Sequence, residues 1–322
     1  MTSPNPELEA SGLEASGSVR PASTGADSPL ELVEVGPRDG LQNEAVCLSP
    51  ARRARLIEDL AAAGVRRIEA VSFVRPDRVP QMAGAEEVMA AVARRPGVSL
   101  IGLVMNARGL RRALDAGVDE VNVVVVASET FSRRNQGIGV VEMVALAREL
   151  IEEAKAAGRG TSVTISAAFG CPFEGEVPPE RVLRIVRDVA PSGPDEIALA
   201  DTIGVAVPVA VRALVAGARE AAPGVALRCH FHNTRNTGYA CALAAVESGV
   251  GALDASVGGV GGCPFAPRAT GNIATEDLAF MLERSGVPTG VDLPALLAVS
   301  DQLAAELGHP PAALLGRAGI FP

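Results

Sequence analysis

From Leu30 onward, a short β-type run is followed by a helix-type run eight times in succession. "LELVEVG" leads to "SPARRARLIEDLAAAGV", "RIEAVSFV" to "AGAEEVMAAVARR", and "VSLIGLVM" to "ARGLRRALDAG". "EVNVVVVAS" leads to "VVEMVALARELIEEAKAAG", "TSVTISAAFG" to "PPERVLRIVRDVA", and "DEIALADTIG" to "PVAVRALVAGAREAA". "ALRCHFHN" then leads to "TGYACALAAVESG", and "ALDASVGGVGG" to "ATEDLAFMLERSG". Eight such units predict an α/β fold of the (β/α)8, or TIM barrel, type. The alternative is a doubly wound open sheet. Against it stand the count of eight and the lack of a Gly-x-Gly-x-x-Gly turn after the first strand. Ser49 can cap the first helix and Pro50 can occupy its first turn. Gly64, Gly117, Gly158 and Gly249 stand where helices should end.

The barrel is expected over residues 30–290. Residues 291–322 read as additional C-terminal helices, not as a separate domain. Residues 1–29 are rich in Ser, Pro, Gly and Glu and repeat "LEASG". They read as a disordered N-terminal tail, with too little apolar surface to offset the entropy of ordering. The tail lacks the apolar stretch of a signal peptide, and no later run is long and apolar enough to span a bilayer. A soluble cytoplasmic protein without membrane contact is expected. The net charge is −9 and no Lys/Arg-rich run stands out, so no nucleic-acid partner is expected. With 8 Phe, 1 Tyr and no Trp, the core should be aliphatic. Five cysteines in a chain of this length point to free thiols in a reducing compartment.

In such barrels chemistry sits where strands end and the following loops begin. Arg38, Asp39 and Gln42 stand after the first strand, Glu69 near the end of the second, and Asp201 at the end of the sixth. His230 and His232 end the seventh, and Cys263 and Asn272 lie in the glycine-rich loop after the eighth. The chain has three histidines, and two are at i and i+2 of one strand. Positions i and i+2 share a face, so both imidazoles aim at one point while Phe231 faces away. With Asp39 and Asn272 they form a mixed N/O set that suits Mg²⁺ or Mn²⁺ better than a closed structural zinc site. The alternative is a pair of hydrogen-bonded core histidines.

A thiol at Cys263, on a loop beside a cation, can exchange protons. Its alternative is a small buried residue. Cys229 and Cys241 read as that buried kind, and Cys47 and Cys171 incline to it. Arg38 can stabilise an oxyanion or form a surface ion pair. Glu69 and Asp201 can orient ligands, carry protons, or hydrogen-bond behind the site. His309 is given no role.

Six segments together carry a resemblance: "EVGPRDGLQNE", "SFVRPDRVPQM", "GCPFEG", "ADTIGVAVP", "HFHNT" and "GGCPFAPRATGNIATEDL". In order and over residues 30–290 they resemble the hydroxymethylglutaryl-CoA lyases. The wider superfamily includes isopropylmalate, homocitrate and citramalate synthases and hydroxy-oxovalerate aldolases. The cysteine of "GGCP" separates the lyases from these. The resemblance implies that Asp39, His230, His232 and Asn272 hold a divalent metal. It implies that Arg38 stabilises an enolate oxygen and that Cys263 handles a proton. It places Glu69, Asp201 and Glu276 as acidic residues around the site. The implied reaction cleaves 3-hydroxy-3-methylglutaryl-CoA, or a longer branched 3-hydroxyacyl-CoA, to acetyl-CoA and an oxo acid. A condensing synthase or aldolase acting on a 2-oxo acid is the alternative. The expected partners are the acyl-CoA substrate, with Gln42, Glu276, Arg133 and Arg134 as binding candidates, and a second copy in a homo-oligomer, a dimer. Arg133 and Arg134 could meet CoA phosphates or form a solvated surface pair. Departures from the family pattern fall at Asn233 and Arg235 in "NTRNTG" and at Arg268, near where the acyl chain is expected.

Overall fold

A computed structural model describes residues 30–262 and 271–321. Eight parallel strands close into a barrel in chain order. They are β1 (Glu31–Glu34), β2 (Arg67–Ser72), β3 (Ser99–Val104), β4 (Glu120–Val126), β5 (Gly160–Ser166), β6 (Glu196–Asp201), β7 (Ala226–Phe231) and β8 (Ala252–Ala255). The seam pairs β1 with β8, Glu31 beside Ala252 and Glu34 beside Ala255. An outer ring holds α1 (Pro50–Ala62), α2 (Ala85–Ala91), α3 (Ala107–Asp115), α4 (Glu129–Gln136), α5 (Val140–Ala156) and α6 (Pro179–Val189). It continues with α7 (Pro208–Ala221), α8 (Gly238–Glu247) and α9 (Thr275–Arg284). After it come α10 (Leu293–Leu307) and the short α11 (Leu315–Ala318).

The local signals act as expected. The Ser49 hydroxyl accepts from the Arg52 amide, with Pro50 opening α1. Gly64, Gly117, Gly158 and Gly249 all adopt positive φ at helix ends. One helix was not legible: α4 occupies "ETFSRRNQ", which carries no long apolar stripe. Neighbours hold it in place. Glu129 accepts from the Val140 amide, and Arg134 lies 4.3 Å over the Phe173 ring.

The main core between strands and helices is aliphatic, as the composition implies. The barrel interior departs from that expectation. Its apolar part is a small separate cluster of Val33, Val35, Ile101 and Ala252. Beside it, near the strand starts, Arg67 reaches across the barrel to bond Glu120 at 2.6 Å and Glu196 at 2.8 Å. Buried guanidinium and carboxylate groups persist there because each charge meets an opposite one in place of water.

The C-terminal segment packs on the barrel. The Arg52 side chain of α1 bonds Glu306 of α10 at 2.6 Å. The amides of Ala312 and Ala313 donate to the Gly258 carbonyl, and those of Leu314 and Leu315 to Asp277 of α9. No helix among the described residues is long and apolar enough to cross a membrane.

Candidate metal and active site

Arg38 and Asp39 sit on a tight π-helical turn, Gly36–Gly40, just past β1. The amides of Arg38, Asp39 and Gly40 all donate to the Val35 carbonyl. That turn swings both side chains over the barrel mouth. At the end of β7 and one residue past it the alternation holds: Phe231 joins the outer core while His230 and His232 face inward, ring centroids 5.1 Å apart. Asn272 pairs with His232 through an isolated antiparallel bridge. Gly261 makes this approach possible: it sits at φ +116°, and a Cβ there would come within 2.7 Å of Asn272 Nδ2.

Four expected ligands thus converge. Ligand atoms of Asp39, His230 and His232 lie within 4.8 Å of one another. Asn272 Nδ2 donates to Asp39 Oδ2 at 3.0 Å and to the Val260 carbonyl at 3.1 Å. Burial acts to raise the Asp39 carboxyl, but Arg38, the two imidazoles and Asn272 outweigh it and hold it down to about 2. Burial, aided by His230, pushes His232 down to about 4. Burial also works to lower His230, but the Asp254 carboxylate at 3.1 Å prevails and raises it.

The donor set fits a divalent cation. Asn272 Oδ1 and His232 Nδ1 are buried with no hydrogen-bond partner among the described residues. Orphaned buried acceptors are costly unless something coordinates them. Charge points the same way. With solvent-facing Glu31 set aside, the carboxylates of Asp39, Glu69, Glu120, Glu196 and Asp254 outnumber the guanidinium groups of Arg38, Arg67 and Arg228 that they meet, and Asp254 also meets His230. A surplus of carboxylates draws a cation to the rim. Two nitrogen and two oxygen donors can hold one divalent cation.

Arg38 is locked beside this cluster. Its Nε donates to Glu69 and its Nη1 to Asp39, the latter at 2.8 Å. Asn122 Nδ2 holds the other Glu69 oxygen at 3.2 Å, and Thr164 donates to Asn122. Arg38 Nη2 has no hydrogen bond among the described residues and is free for a developing oxyanion. Glu69 therefore orients Arg38.

The remaining candidates are placed differently. Asp201 accepts from the amides of Val205 and Ala206 at 2.9 and 2.8 Å, which shapes the loop after β6. Burial raises its pKa against those bonds. Glu276 is fully buried behind the β8 turn, bonded to the Gly258 amide. It holds that turn through both carboxylate oxygens. Glu34, bonded to the Gly36 and Val257 amides and the Thr275 hydroxyl, does the same work. Burial raises both carboxyls to about 7. Gln42 is half-buried and makes no hydrogen bond among the described residues.

Arg133 is exposed and pairs with Glu129 at 2.7 Å. Arg235 donates to the carbonyls of Ile203 and Gly204, which ties it to backbone. Cys171, Cys229 and Cys241 are buried, but Cys47 is exposed, so its expected burial is corrected. Cys263 and Arg268 lie outside the described residues.

Several contributors were missed from sequence: Asn122, Thr164, Arg228, Asp254, and Asn43, whose amide donates to the Gly262 carbonyl. One signal was available. Arg228 stands two residues before His230 and so shares its inward face.

Comparison with known proteins agrees with the geometry. The family model described as HMGL-like matches residues 29–303. The chain is 47% identical over 304 residues to the (R)-citramalyl-CoA lyase of Chloroflexus aurantiacus, covering 91% of this chain and 96% of that one. It is 41% identical over 279 residues to the 3-hydroxy-3-isohexenylglutaryl-CoA/hydroxy-methylglutaryl-CoA lyase of Pseudomonas aeruginosa, covering 87% and 93%. A solved HMG-CoA lyase from Acinetobacter baumannii, in complex with coenzyme A and 3-methylmalate, superposes with a TM-score of 0.87 at 39% identity. That match covers 92% of this chain and 97% of the other. With the barrel, the rim cluster and these matches together, the chain belongs to the HMGL-like family.

Proposed function

We propose that this protein, a carbon–carbon lyase, cleaves a branched 3-hydroxyacyl-CoA between C2 and C3 to give acetyl-CoA and an oxo acid. The observation that carries this reading is the ligand cluster of Asp39, His230, His232 and Asn272 beside a locked Arg38. These four residues would hold Mg²⁺ or Mn²⁺. When bound, the cation supplies Lewis acidity that makes a tertiary hydroxyl easier to deprotonate.

The chain's own residues do the rest. Glu69 and Asp39 fix Arg38 from two sides, so its free Nη2 meets the thioester oxygen without reorganising. Charge grows on that oxygen as the C2–C3 bond breaks, and a fixed donor there stabilises the enolate most. Once the hydroxyl proton passes to a base, the alkoxide collapses to a ketone at C3 as the C2–C3 bond breaks, and the electron pair of that bond passes to C2. Cys263 delivers a proton to C2 of the enolate and completes acetyl-CoA. Gln42 contacts the acyl part, and Arg133 and Arg134 offer charge to CoA phosphates. Asp201 shapes the floor after β6. A homo-oligomer, a dimer, is the working assembly.

3-Hydroxy-3-methylglutaryl-CoA is the first substrate to test, with acetoacetate as the second product. Citramalyl-CoA is one methylene shorter and would give pyruvate. The 47% identity to the Chloroflexus enzyme supports this second reading. Cation-stripped protein, reloaded with Mg²⁺ or Mn²⁺, should be offered each thioester separately with products read by mass spectrometry. Cation-dependent acetyl-CoA in either reaction is expected, and the partner acid identifies the substrate. Folded, cation-loaded protein that cleaves neither would turn attention to longer branched chains and then overturn the reading if those also fail.

A further inference from the structure

Arg228 and His230 of β7, and His232 just past its end, share the inward face. Only one of the two imidazoles is anchored. Asp254 of β8 stands opposite His230 in the strand register, and its Oδ2 lies 3.1 Å from His230 Nδ1. His232 Nδ1 has no hydrogen-bond partner among the described residues. The second Asp254 oxygen lies 3.2 Å from Arg228 Nη1. Arg228 Nε is 3.0 Å from Glu196, which Arg67 holds in turn at 2.8 Å. All the links from Arg228 to Asp254 and Glu196 are buried. A charge ladder therefore runs from the start of the barrel to its catalytic mouth.

We propose that Asp254 is a positioning residue that fixes the His230 ring and tautomer, and that Arg228 anchors Asp254, so that this ladder sets the affinity of the rim for a divalent cation. The inference rests on the cation-site reading above. The chemistry is direct. A ring nitrogen that donates to a carboxylate carries the proton, which leaves the Nε2 lone pair as the one His230 can offer a cation. A carboxylate free to turn would not hold that tautomer. Arg228 prevents this by keeping an opposite charge 3.2 Å from the far oxygen. Its N–H groups are not aligned for hydrogen bonds, so it acts through charge.

That arrangement makes a prediction with an unexpected sign. Arg228 is a cation close to a cation site, so simple repulsion says that removing it should tighten Mn²⁺ binding. The ladder says the reverse, because Asp254 would lose its counter-charge and stop ordering His230.

The test uses the full chain and Mn²⁺ alone, followed by titration calorimetry, with thermal melts to confirm folding. Asp254→Asn is expected to weaken Mn²⁺ about 10–100-fold, the usual effect of losing an outer partner of a ligating histidine. Arg228→Met should weaken it about fivefold or more, and Arg228→Lys should restore most of the loss. A second measurement needs no variant. The chain has only three histidines, so ¹⁵N-histidine spectra of the cation-free protein resolve each ring. One inward ring should carry its proton on Nδ1, and Asp254→Asn should move that signal. An Nε2–H tautomer at His230, or Arg228→Met binding Mn²⁺ as tightly as the parent, would overturn the proposal. Parent protein that binds no Mn²⁺ would overturn the cation site itself, a separate and recognisable failure.

Discussion

The side-chain amide of Asn272 donates to the carboxylate of Asp39 at 3.0 Å, although 233 positions separate the two residues in the chain. This one bond joins the loop after β8 to the turn after β1 across the barrel seam. It also turns Asn272 so that Oδ1 is left bare beside the histidines.

Replacing Asn272 with Asp should therefore have opposite effects with and without cation. Two carboxylates at that separation repel. The cation-free variant should melt several degrees below the parent, and added Mn²⁺ should raise its melting temperature by more than it raises the parent's. Equal Mn²⁺-induced shifts in the two proteins would show that Asn272 does not face the cation.

Arg38→Lys keeps the charge but loses the fork that grips Glu69 and Asp39 together. A lysine cannot satisfy both carboxylates and still present a fixed donor. We expect kcat to fall by about 10²–10³ with KM changed only a few-fold, the signature of a contact that strengthens in the transition state. Steady-state kinetics with whichever thioester the parent cleaves would check it, and a kcat within tenfold of the parent would exclude the role.

Cys263→Ala should bind Mn²⁺ like the parent and lose most turnover. Calorimetry and product analysis on the same preparation separate the two properties. Full activity would remove the thiol from the proton transfer.

The double variant Arg133→Ala/Arg134→Ala tests the CoA assignment. Both side chains are exposed, so each phosphate contact contributes about 1 kcal/mol or less, and KM should rise about five-fold with kcat nearly unchanged. An unaltered KM would make them a surface pair.

Glu34 gives a pH signature in stability. Burial raises its carboxyl from 4.5 to about 7. Below 4.5 the group is protonated in both the folded and unfolded chain. Between 4.5 and 7 only the folded chain keeps the proton, and above 7 neither does. Its contribution is thus fully present below about 4.5 and is lost as pH rises through about 7. Glu34→Gln retains an acceptor for the Gly36 and Val257 amides but has nothing to ionise. Stability curves of parent and variant should diverge over that window, by up to about 3 kcal/mol in favour of the variant at pH 8. Parallel curves would contradict the assignment.

Much of this was legible in the sequence, for reasons visible at particular residues. The eight-unit alternation survives because each strand and helix carries its own period. The inward face of β7 follows from its two-residue repeat. The rim position of Asp39 and Asn272 follows from where strands stop. The charge ladder was not legible. Glu120 and Glu196 open their strands, where an acid usually meets water, and only contact with Arg67 across the barrel shows otherwise. Asp254 is a single acid in "ALDASV", and nothing local pairs it with His230. The α4 helix owes its place to Glu129 and to Phe173 beneath Arg134, which are tertiary facts.

The β1–β8 seam also sets an order of manufacture. Glu31 pairs with Ala252, so the first strand has no partner on that side until the eighth has been synthesised. At about 5–20 residues per second, a ribosome leaves that edge open for roughly 10–40 s. Asp39 emerges early and waits for Asn272, and the Gly258 carbonyl waits longer still for the amides of Ala312 and Ala313. A chain that stops short has one side of the ligand set and not the other. The two halves of the ligand set thus meet only after synthesis has passed Asn272.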